Sequence, residues 1–300
     1  MIHVPDGANL NILLQNFLEG YDYLSWVNRV ALYDTEISQP DFSKEIESAS
    51  QLILGPNGPA LTISHIVNAA KLEVHFTAYH STESLFGLLF AFVYQPDAPW
   101  IWLTKYQFDE FNELVSRLAK DGLALFGSDE EQVAKALFFN SKDPTLQNAI
   151  DHSAKFTATY VKALAKEFQD KADYNSYKHG LRTLIPQEFR AQLGQQLKQI
   201  EWAELVTSYL VLKKPVRWKN QWVSDLELVF RALDYERSKR IIVTNTHLMH
   251  NLFEIKKALT SGKSRVTLCL FDSDNVYDIL RPSKEGHVMQ KMTISPGELT

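Results

Sequence analysis

Residues 62–94 constrain the fold more than any other stretch, because they contain no proline and are apolar on two sides of a helix. One face collects the following side chains: Ile66, Ala70, Val74, Thr77, Ser81, Leu85, Leu88 and Phe92. A nearly opposite face collects a second set: Leu72, Phe76, Tyr79, Phe86 and Phe90. A helix with two apolar sides has to be enclosed by neighbours, so the sequence predicts a central helix over 62–94 in a helical bundle.

Other stretches with helical spacing predict neighbours for this central helix: 9–33, 107–121, 129–140, 145–179, 186–212 and 221–237. The pattern changes near residue 240, where "KRIIVTNTHL" begins with a β-branched run that favours a strand. The stretches "SRVTLCLFDSDN" and "HVMQKMTIS" are also typical of strands, and "HNLFEIKKALTSG" is typical of a short helix ending at Gly262.

These patterns predict a mainly α protein, a multi-helix bundle with a small C-terminal α/β segment. We expect three consecutive parts: an N-terminal helical segment (1–60), a helical bundle (61–238) and a small mixed α/β segment (239–300).

The charge distribution is uneven along a chain of net charge −5. Residues 1–160 carry 9 Lys and Arg against 20 Asp and Glu, whereas residues 161–220 carry 11 against 6. Such asymmetry permits a local anion-binding face on an acidic body, although ordinary solvent-facing helix charges produce the same count.

Cysteine content and hydropathy limit the class of protein. The single cysteine, Cys269, excludes an internal disulfide framework and a zinc site made of thiolates alone. The first residues lack the pattern of a signal peptide, and the longest apolar run, 84–94, is too short to span a bilayer. We therefore expect a soluble cytoplasmic protein, and we predict no cofactor.

The stretch "KADYNSYKHGLRTL" (171–184) places Asn175, Lys178, His179 and Arg182 within eight positions. Lys178, His179 and Gly180 are also what a helix end requires, because cations favour the C-terminal carbonyls and glycine adopts the left-handed conformation. Alternatively, the four residues face a phosphate, with His179 as general acid or base and the cations stabilising negative charge.

This stretch contains a short element, which consists of Tyr174, Asn175, two further residues, Lys178, His179 and Gly180. With this element near a helix end, the helical region 62–212 resembles the HEPN superfamily of all-α domains. Members occur in prokaryotic toxin and antiphage systems, and many are metal-independent ribonucleases. The resemblance implies RNA as partner, and a homodimer in which two motifs line one cleft. It also implies that Asn175 positions the reacting group while His179 moves the proton.

Active members of that family carry Arg, then four to six residues, then His, and no such spacing ends at His179. The chain has this spacing at Arg240–His247 and at Arg281–His287. A chain with this many Arg and His residues produces such matches by chance, and both pairs fall in strand-like or loop-like sequence. On the sequence alone we therefore assign neither pair to a catalytic site.

A metal-binding alternative lies on the central helix, where Glu73, His80 and Glu83 fall between the two apolar faces. Helical bundles that bind two metals use Glu and Glu-x-x-His elements on facing helices. Here the order is His-x-x-Glu, so a His–Glu pair that satisfies itself inside the protein is the competing interpretation.

The stretch "KKPVRWKNQW" (213–222) is the candidate nucleic-acid-binding element, since it interleaves cations with tryptophans. The residues assigned to this role are Lys213, Lys214, Arg217, Trp218 and Lys219. In the alternative interpretation, the tryptophans pack as a lid on the bundle and the lysines face water.

The functional prediction is an RNA-binding helical-bundle protein that cleaves RNA without metal, in a prokaryotic defence or stress system. The alternatives are a non-catalytic interaction module of the antitoxin kind with a protein partner, and a metal-binding bundle enzyme.

Overall fold

A computed structural model describes the following parts of the chain: 7–55, 63–141, 143–170, 174–175, 183–184, 206–212, 216–218, 221–223, 226–232, 234–262, 266–272, 275–281 and 290–294. Most of these residues lie in helices, which confirms the mainly α class.

Ten helices are described in these ranges. They are α1 (Gly7–Gly20), α2 (Ser25–Ser38), α3 (Pro40–Leu54), α4 (Ile63–Tyr94), α5 (Pro99–Lys105), α6 (Phe108–Asp121), α7 (Glu130–Phe138), α8 (Gln147–Phe168), α9 (Tyr235–Ser261) and α10 (Val276–Leu280). Two short 3₁₀ turns, Gly122–Phe126 and Pro144–Leu146, precede α7 and α8.

Helix α4 confirms the prediction of a long helix apolar on two sides. Every residue of the first predicted face is buried, and four of the five on the second face are buried as well, Tyr79 being half-buried.

Local sequence signals determine where neighbouring helices begin. For example, the Asp129 carboxylate accepts hydrogen bonds from the backbone N–H groups of Glu131 and Gln132 and so caps the start of α7.

Six strands are described: β1 (Thr183–Leu184), β2 (Val206–Leu212), β3 (Val216–Trp218), β4 (Gln221–Val223), β5 (Leu226–Ala232) and β6 (Gln290–Ile294). Four of them form an antiparallel sheet in the order β1-β2-β5-β6, and β3 pairs with β4 separately. In the long pair, Val206 is opposite Ala232 and Leu212 is opposite Leu226.

The helices predicted over 186–212 and 221–237 are therefore wrong where β2 and β5 lie. Both strands are rich in β-branched, aromatic and leucine residues, and they stabilise each other through a ladder that local helical spacing does not reveal. The prediction of one helix over 9–33 is also wrong in detail, because the chain leaves the helix at residues 21–24 between α1 and α2.

The strand predicted for "KRIIVTNTHL" is wrong, because α9 is continuous from Tyr235 to Ser261. Residues 266–272 form no regular strand, and β6 pairs with β5, which precedes residue 239. A separate C-terminal α/β segment is thus not supported. The separate short helix predicted over "HNLFEIKKALTSG" is also wrong, because this stretch is the last part of α9, although the helix does end before Gly262 as predicted.

The chain forms two compact units, each assembled from three stretches. The first unit contains residues 1–28, 78–170 and 240–281, and the second contains 29–77, 171–239 and 282–300. The three consecutive domains expected from the sequence stay a prediction.

The core of the first unit is rich in aromatic rings. Phe90 lies at its centre, with its ring centroid 5.7 Å from that of Trp102, 5.8 Å from Phe111 and 6.1 Å from Phe126. The ring of Phe253 on α9 stacks on Tyr21 at 5.1 Å. None of the helices in the described ranges is long and apolar enough to span a membrane.

Candidate functional site

The cluster predicted around His179 lies mostly outside the described residues. Lys178, His179 and Arg182 are not described, whereas Asn175 is half-buried and Tyr174 is 1% exposed, both in helical conformation. The roles assigned to Asn175, Lys178, His179 and Arg182 stay predictions.

The basic and aromatic stretch 213–222 falls on the strand pair β3–β4. Arg217 and Trp218 belong to β3, while Lys213, Lys214 and Lys219 lie outside the described residues. Instead of connecting two helices, this stretch lies between the paired strands β2 and β5.

The metal-binding alternative receives no support from the described side chains. Glu73, His80 and Glu83 are all half-buried on α4, and the ring of His80 stacks on Trp26 with centroids 6.3 Å apart. Within the described ranges, no three His, Cys, Asp or Glu side chains are grouped so that they could hold a metal ion.

A buried polar network joins α4, α8 and α9 in the first unit. The Tyr160 hydroxyl donates a hydrogen bond to Oδ1 of Asn245 at 2.9 Å. Nδ2 of Asn245 donates to Oγ of Ser81 at 3.1 Å and to Oγ1 of Thr82 at 3.0 Å. Both hydroxyls donate in turn to the carbonyl of Ala78. Because all the polar side chains are at most 2% exposed, the network fixes how α9 packs on α4 and α8.

Helix α9 carries Arg240 and His247 on one face. The two residues are seven positions apart, which is two turns, or about 10 Å along the helix axis. Of the two reasons for setting this pair aside on the sequence, the strand-like context is therefore wrong, while the expectation of chance matches is unchanged. For the other pair, Arg281 follows α10 and His287 lies outside the described residues.

The Arg240 guanidinium is held by backbone carbonyls. Its Nη2 donates to the carbonyl of Arg281 at 2.9 Å, and its Nε donates to the carbonyl of Ile279 at 3.4 Å. These two carbonyls belong to the end of α10 and the residue after it, where the partial negative charge of the helix favours a cation. The guanidinium is thus positioned at a fixed point beside α9.

His247 is half-buried one turn before His250. Burial, with a smaller contribution from His250, lowers the pKa of His247 below its ordinary value. The ring of His247 lies 6.4 Å from that of Phe271, centroid to centroid. A histidine with a lowered pKa is neutral at pH 7 and has a ring nitrogen that accepts a proton.

His250 uses both ring nitrogens in hydrogen bonds. Nε2 lies 2.9 Å from the carbonyl of Thr267, and because a carbonyl only accepts, Nε2 carries a proton. Nδ1 lies 2.9 Å from the Tyr23 hydroxyl, which donates to it when the ring is neutral. Burial raises the pKa of Tyr23, and Glu254, Cys269 and Asp22 add to the rise. His250 therefore holds Thr267 and Tyr23 against α9 close to His247.

Residues 266–272 run beside α9 and α8 in a conformation fixed by side chains. Asn251 donates to the carbonyl of Cys269 and accepts from its backbone N–H, both at 2.8 Å. The backbone N–H of Phe271 donates to Oγ of Ser153 at 2.9 Å, and the Phe271 ring stacks on Phe156 at 4.7 Å. This segment covers part of the α9 face that carries His247.

Sequence reasoning missed the network around Asn245 and the positions of His250 and Asn251. The signal available was the spacing of apolar residues on both sides of Asn245, namely Ile241, Ile242, Leu248, Met249, Leu252 and Phe253, which is helical.

The chain matches no protein-family model, no curated protein and no solved structure.

Proposed function

We propose that this chain is an RNA-binding helical-bundle protein that cleaves RNA without a metal ion, as the resemblance to the HEPN superfamily implies. One observation carries the proposal. Arg240 and His247, with six residues between them, lie on the same face of a bundle helix. This is the Arg-to-His spacing of active members of the family that residues 62–212 resemble, and here it lies on a helix that follows that region. A defence or stress setting is the biological context that the resemblance implies.

The chemistry assigned to His247 follows from its environment. With its pKa lowered by burial, the neutral imidazole accepts the proton of an RNA 2′-hydroxyl. The 2′-oxygen then attacks the adjacent phosphorus, the bond from phosphorus to the 5′-oxygen breaks, and that oxygen takes up a proton. The products are a 2′,3′-cyclic phosphate and a 5′-hydroxyl, so neither a metal nor a redox partner is needed.

The fixed guanidinium of Arg240 supplies a permanent positive charge on the same face of α9. In this scheme it stabilises the negative charge that grows on the phosphate oxygens. The alternative assigns the whole site to the cluster predicted from the sequence, in which Lys178 and Arg182 balance the phosphate charge, His179 transfers the proton and Asn175 positions the reacting group.

The test compares two single variants, His247→Ala and His179→Ala, on labelled total RNA in the presence of EDTA. We expect wild-type protein to cleave RNA in EDTA and His247→Ala to lose about 10²- to 10⁴-fold in rate, the usual contribution of one acid–base group. His152→Gln, which changes another half-buried histidine on α8, is the matched control and keeps the wild-type rate.

The same two variants also show which of the two histidines transfers the proton. Loss of cleavage in His179→Ala alone assigns proton transfer to residue 179 and removes His247 from the mechanism. Full activity in both variants, or activity that EDTA abolishes, contradicts the proposal.

A second candidate function, a non-catalytic interaction module, is favoured by the hydrogen bonds of Arg240. Two of its hydrogen bonds go to backbone carbonyls of its own chain, as they do for an arginine with a structural role. Under this proposal the purified protein leaves RNA intact and binds a protein partner, and Arg240→Lys lowers only the stability of the protein.

A further inference from the structure

Residues 266–272 form a segment whose backbone is held by side chains of α8 and α9. Asn251 on α9 donates to the carbonyl of Cys269 and accepts from its backbone N–H, both at 2.8 Å. One amide side chain reaches both groups because the N–H and C=O of a residue in an extended chain point to the same side. The backbone of Cys269 is therefore bonded like that of a residue in an antiparallel sheet, with Asn251 in place of the neighbouring strand.

The same side of the segment is held two residues before and two residues after Cys269. Nε2 of His250 donates to the carbonyl of Thr267 at 2.9 Å, and the backbone N–H of Phe271 donates to Oγ of Ser153 at 2.9 Å. A repeat of two residues is the repeat of a β-strand, in which successive residues turn their backbone groups to opposite sides. These contacts thus orient the backbone groups of Thr267, Cys269 and Phe271 toward the helices.

The residues between them turn their backbone groups away from α8 and α9. Within the described ranges, the backbone N–H and C=O groups of Val266, Leu268 and Leu270 form no hydrogen bond. All three residues are partly exposed to solvent. We call the backbone N–H and C=O groups of Val266, Leu268 and Leu270 the outer edge. A row of unpaired donors and acceptors at the spacing of a strand is a template for a further strand.

The chemistry of the outer edge selects the class of ligand. A polypeptide in extended conformation supplies N–H and C=O groups at the same spacing, so it can bond to every group of the edge. Phosphate groups of a nucleic acid only accept hydrogen bonds, and residues 266–272 contain no Lys or Arg to attract them. The ligand that fits the outer edge is therefore an extended peptide.

The charge around the outer edge determines which peptide fits. Asp272 is exposed at one end of the segment. Toward the other end lies Asp22, which is also exposed and immediately precedes Tyr23, whose hydroxyl binds His250. The first unit as a whole carries 14 Lys and Arg against 20 Asp and Glu. A basic peptide is attracted to this surface, whereas a second copy of the same acidic unit is repelled.

We infer that the outer edge binds an extended, basic peptide of a partner protein, which adds a β-strand to residues 266–272. The backbone of the peptide pairs with Val266, Leu268 and Leu270, and its cations lie near Asp22 and Asp272. The inference goes beyond the proposed function and does not rest on it, because RNA takes no part in the contact.

Amide hydrogen exchange, measured by NMR on isotope-labelled protein, tests both the alternation and the binding. In the free protein, we expect the amides of Cys269 and Phe271 to exchange slowly and those of Leu268 and Leu270 to exchange rapidly. The probe is a synthetic peptide of alternating valine and threonine with a lysine at each end. At a concentration that occupies about nine-tenths of the protein, it should slow exchange at Leu268 and Leu270 about tenfold, because only free protein exchanges there.

Fluorescence anisotropy with the labelled peptide tests which groups carry the binding. A peptide with N-methyl groups on its central residues cannot donate, and each lost hydrogen bond should weaken binding by roughly 2- to 12-fold. In the protein, Leu268→Pro removes one outward N–H and should weaken binding by at least that factor. Leu268→Val, the matched control, keeps the N–H and binds as wild type does. Glutamates in place of the two lysines of the peptide should also weaken binding.

Three outcomes overturn the inference. The first is an N-methylated peptide that binds as tightly as its parent, and the second is exchange at Leu268 and Leu270 that excess peptide leaves fast. The third is a dimer in analytical ultracentrifugation that Leu268→Pro dissociates, because the outer edge is then occupied by a second copy. N-methylation changes only the peptide, so the test holds even where Leu268→Pro fails to fold. None of these measurements involves RNA, so failure of the ribonuclease proposal leaves their result unchanged.

Discussion

At the scale of single residues, the first unit depends on a polar side chain in its core. Asn245 is fully buried, but its side-chain oxygen has a hydrogen-bond partner on α8 and its side-chain nitrogen has partners on α4. Burying an amide costs free energy unless its hydrogen bonds are replaced, so these bonds decide whether α9 packs here. The same network fixes the register of α9 and hence the positions of Arg240 and His247.

We expect Asn245→Ala to lower the free energy of unfolding by about 1–3 kcal/mol, because the buried Tyr160 hydroxyl loses its acceptor. Urea denaturation measures the change, and Asn148→Ala at an exposed position of α8 is the control. In a double-mutant cycle with Tyr160→Phe, the two losses should be less than additive. Additive losses, or an Asn245→Ala protein as stable as wild type, contradict a structural role for the network.

At the scale of elements, sequence patterns located the helices whose signals are local. The predictions for α4, α6 and α7 agree with the structure to within two residues at each end. Helix α8 begins within two residues of its predicted start, but it ends at Phe168, so the predicted end at 179 is wrong. In each case apolar residues recur at helical spacing. Caps such as Asp129 or nearby prolines mark the helix starts.

The elements that sequence reasoning missed depend on contacts far apart in the chain. The β-branched run at 241–244 favours a strand locally, but burial of Ile241, Ile242 and Thr244 against other helices makes it part of α9. The strands β2 and β5 acquire their partners only in the folded sheet. For the candidate site, the spacing of Arg240 and His247 was visible in the sequence, but its meaning depended on knowing that both lie on one helix.

The end of α9 gives a test at this scale. Gly262 follows the helix with φ +67°, a left-handed conformation, and a Cβ added there would meet nothing within 4 Å. Gly262→Ala should therefore lower the free energy of unfolding by about 1–2 kcal/mol through backbone strain alone. Thermal or urea unfolding measures it.

The control for this prediction is Gly20→Ala at the end of α1, where a Cβ also has open space and φ is not positive. It should be neutral or slightly stabilising, because alanine favours helix more than glycine does. Equal losses in the two variants would show that the left-handed conformation of Gly262 is not the cause.

At the scale of the whole molecule, both units are built from stretches distant in sequence. The first unit needs residues 240–281 to complete its core, since Ile242, Met249 and Phe253 are fully buried there. The second unit includes β6, which pairs with β5 from an earlier part of the chain. The charge is also unevenly divided along the chain, because acidic residues predominate before position 160 and basic residues predominate over 161–220.

The most direct test of the account is the chemistry of the RNA ends produced by the 300-residue chain in EDTA. We predict cleavage that leaves 2′,3′-cyclic phosphate and 5′-hydroxyl ends, detected by mass spectrometry, because in the proposed mechanism the attacking group is the 2′-oxygen of the RNA itself. Intact RNA, or products with 3′-hydroxyl and 5′-phosphate ends, which form when water attacks the phosphorus, would contradict the claim that this helical bundle is a metal-independent ribonuclease.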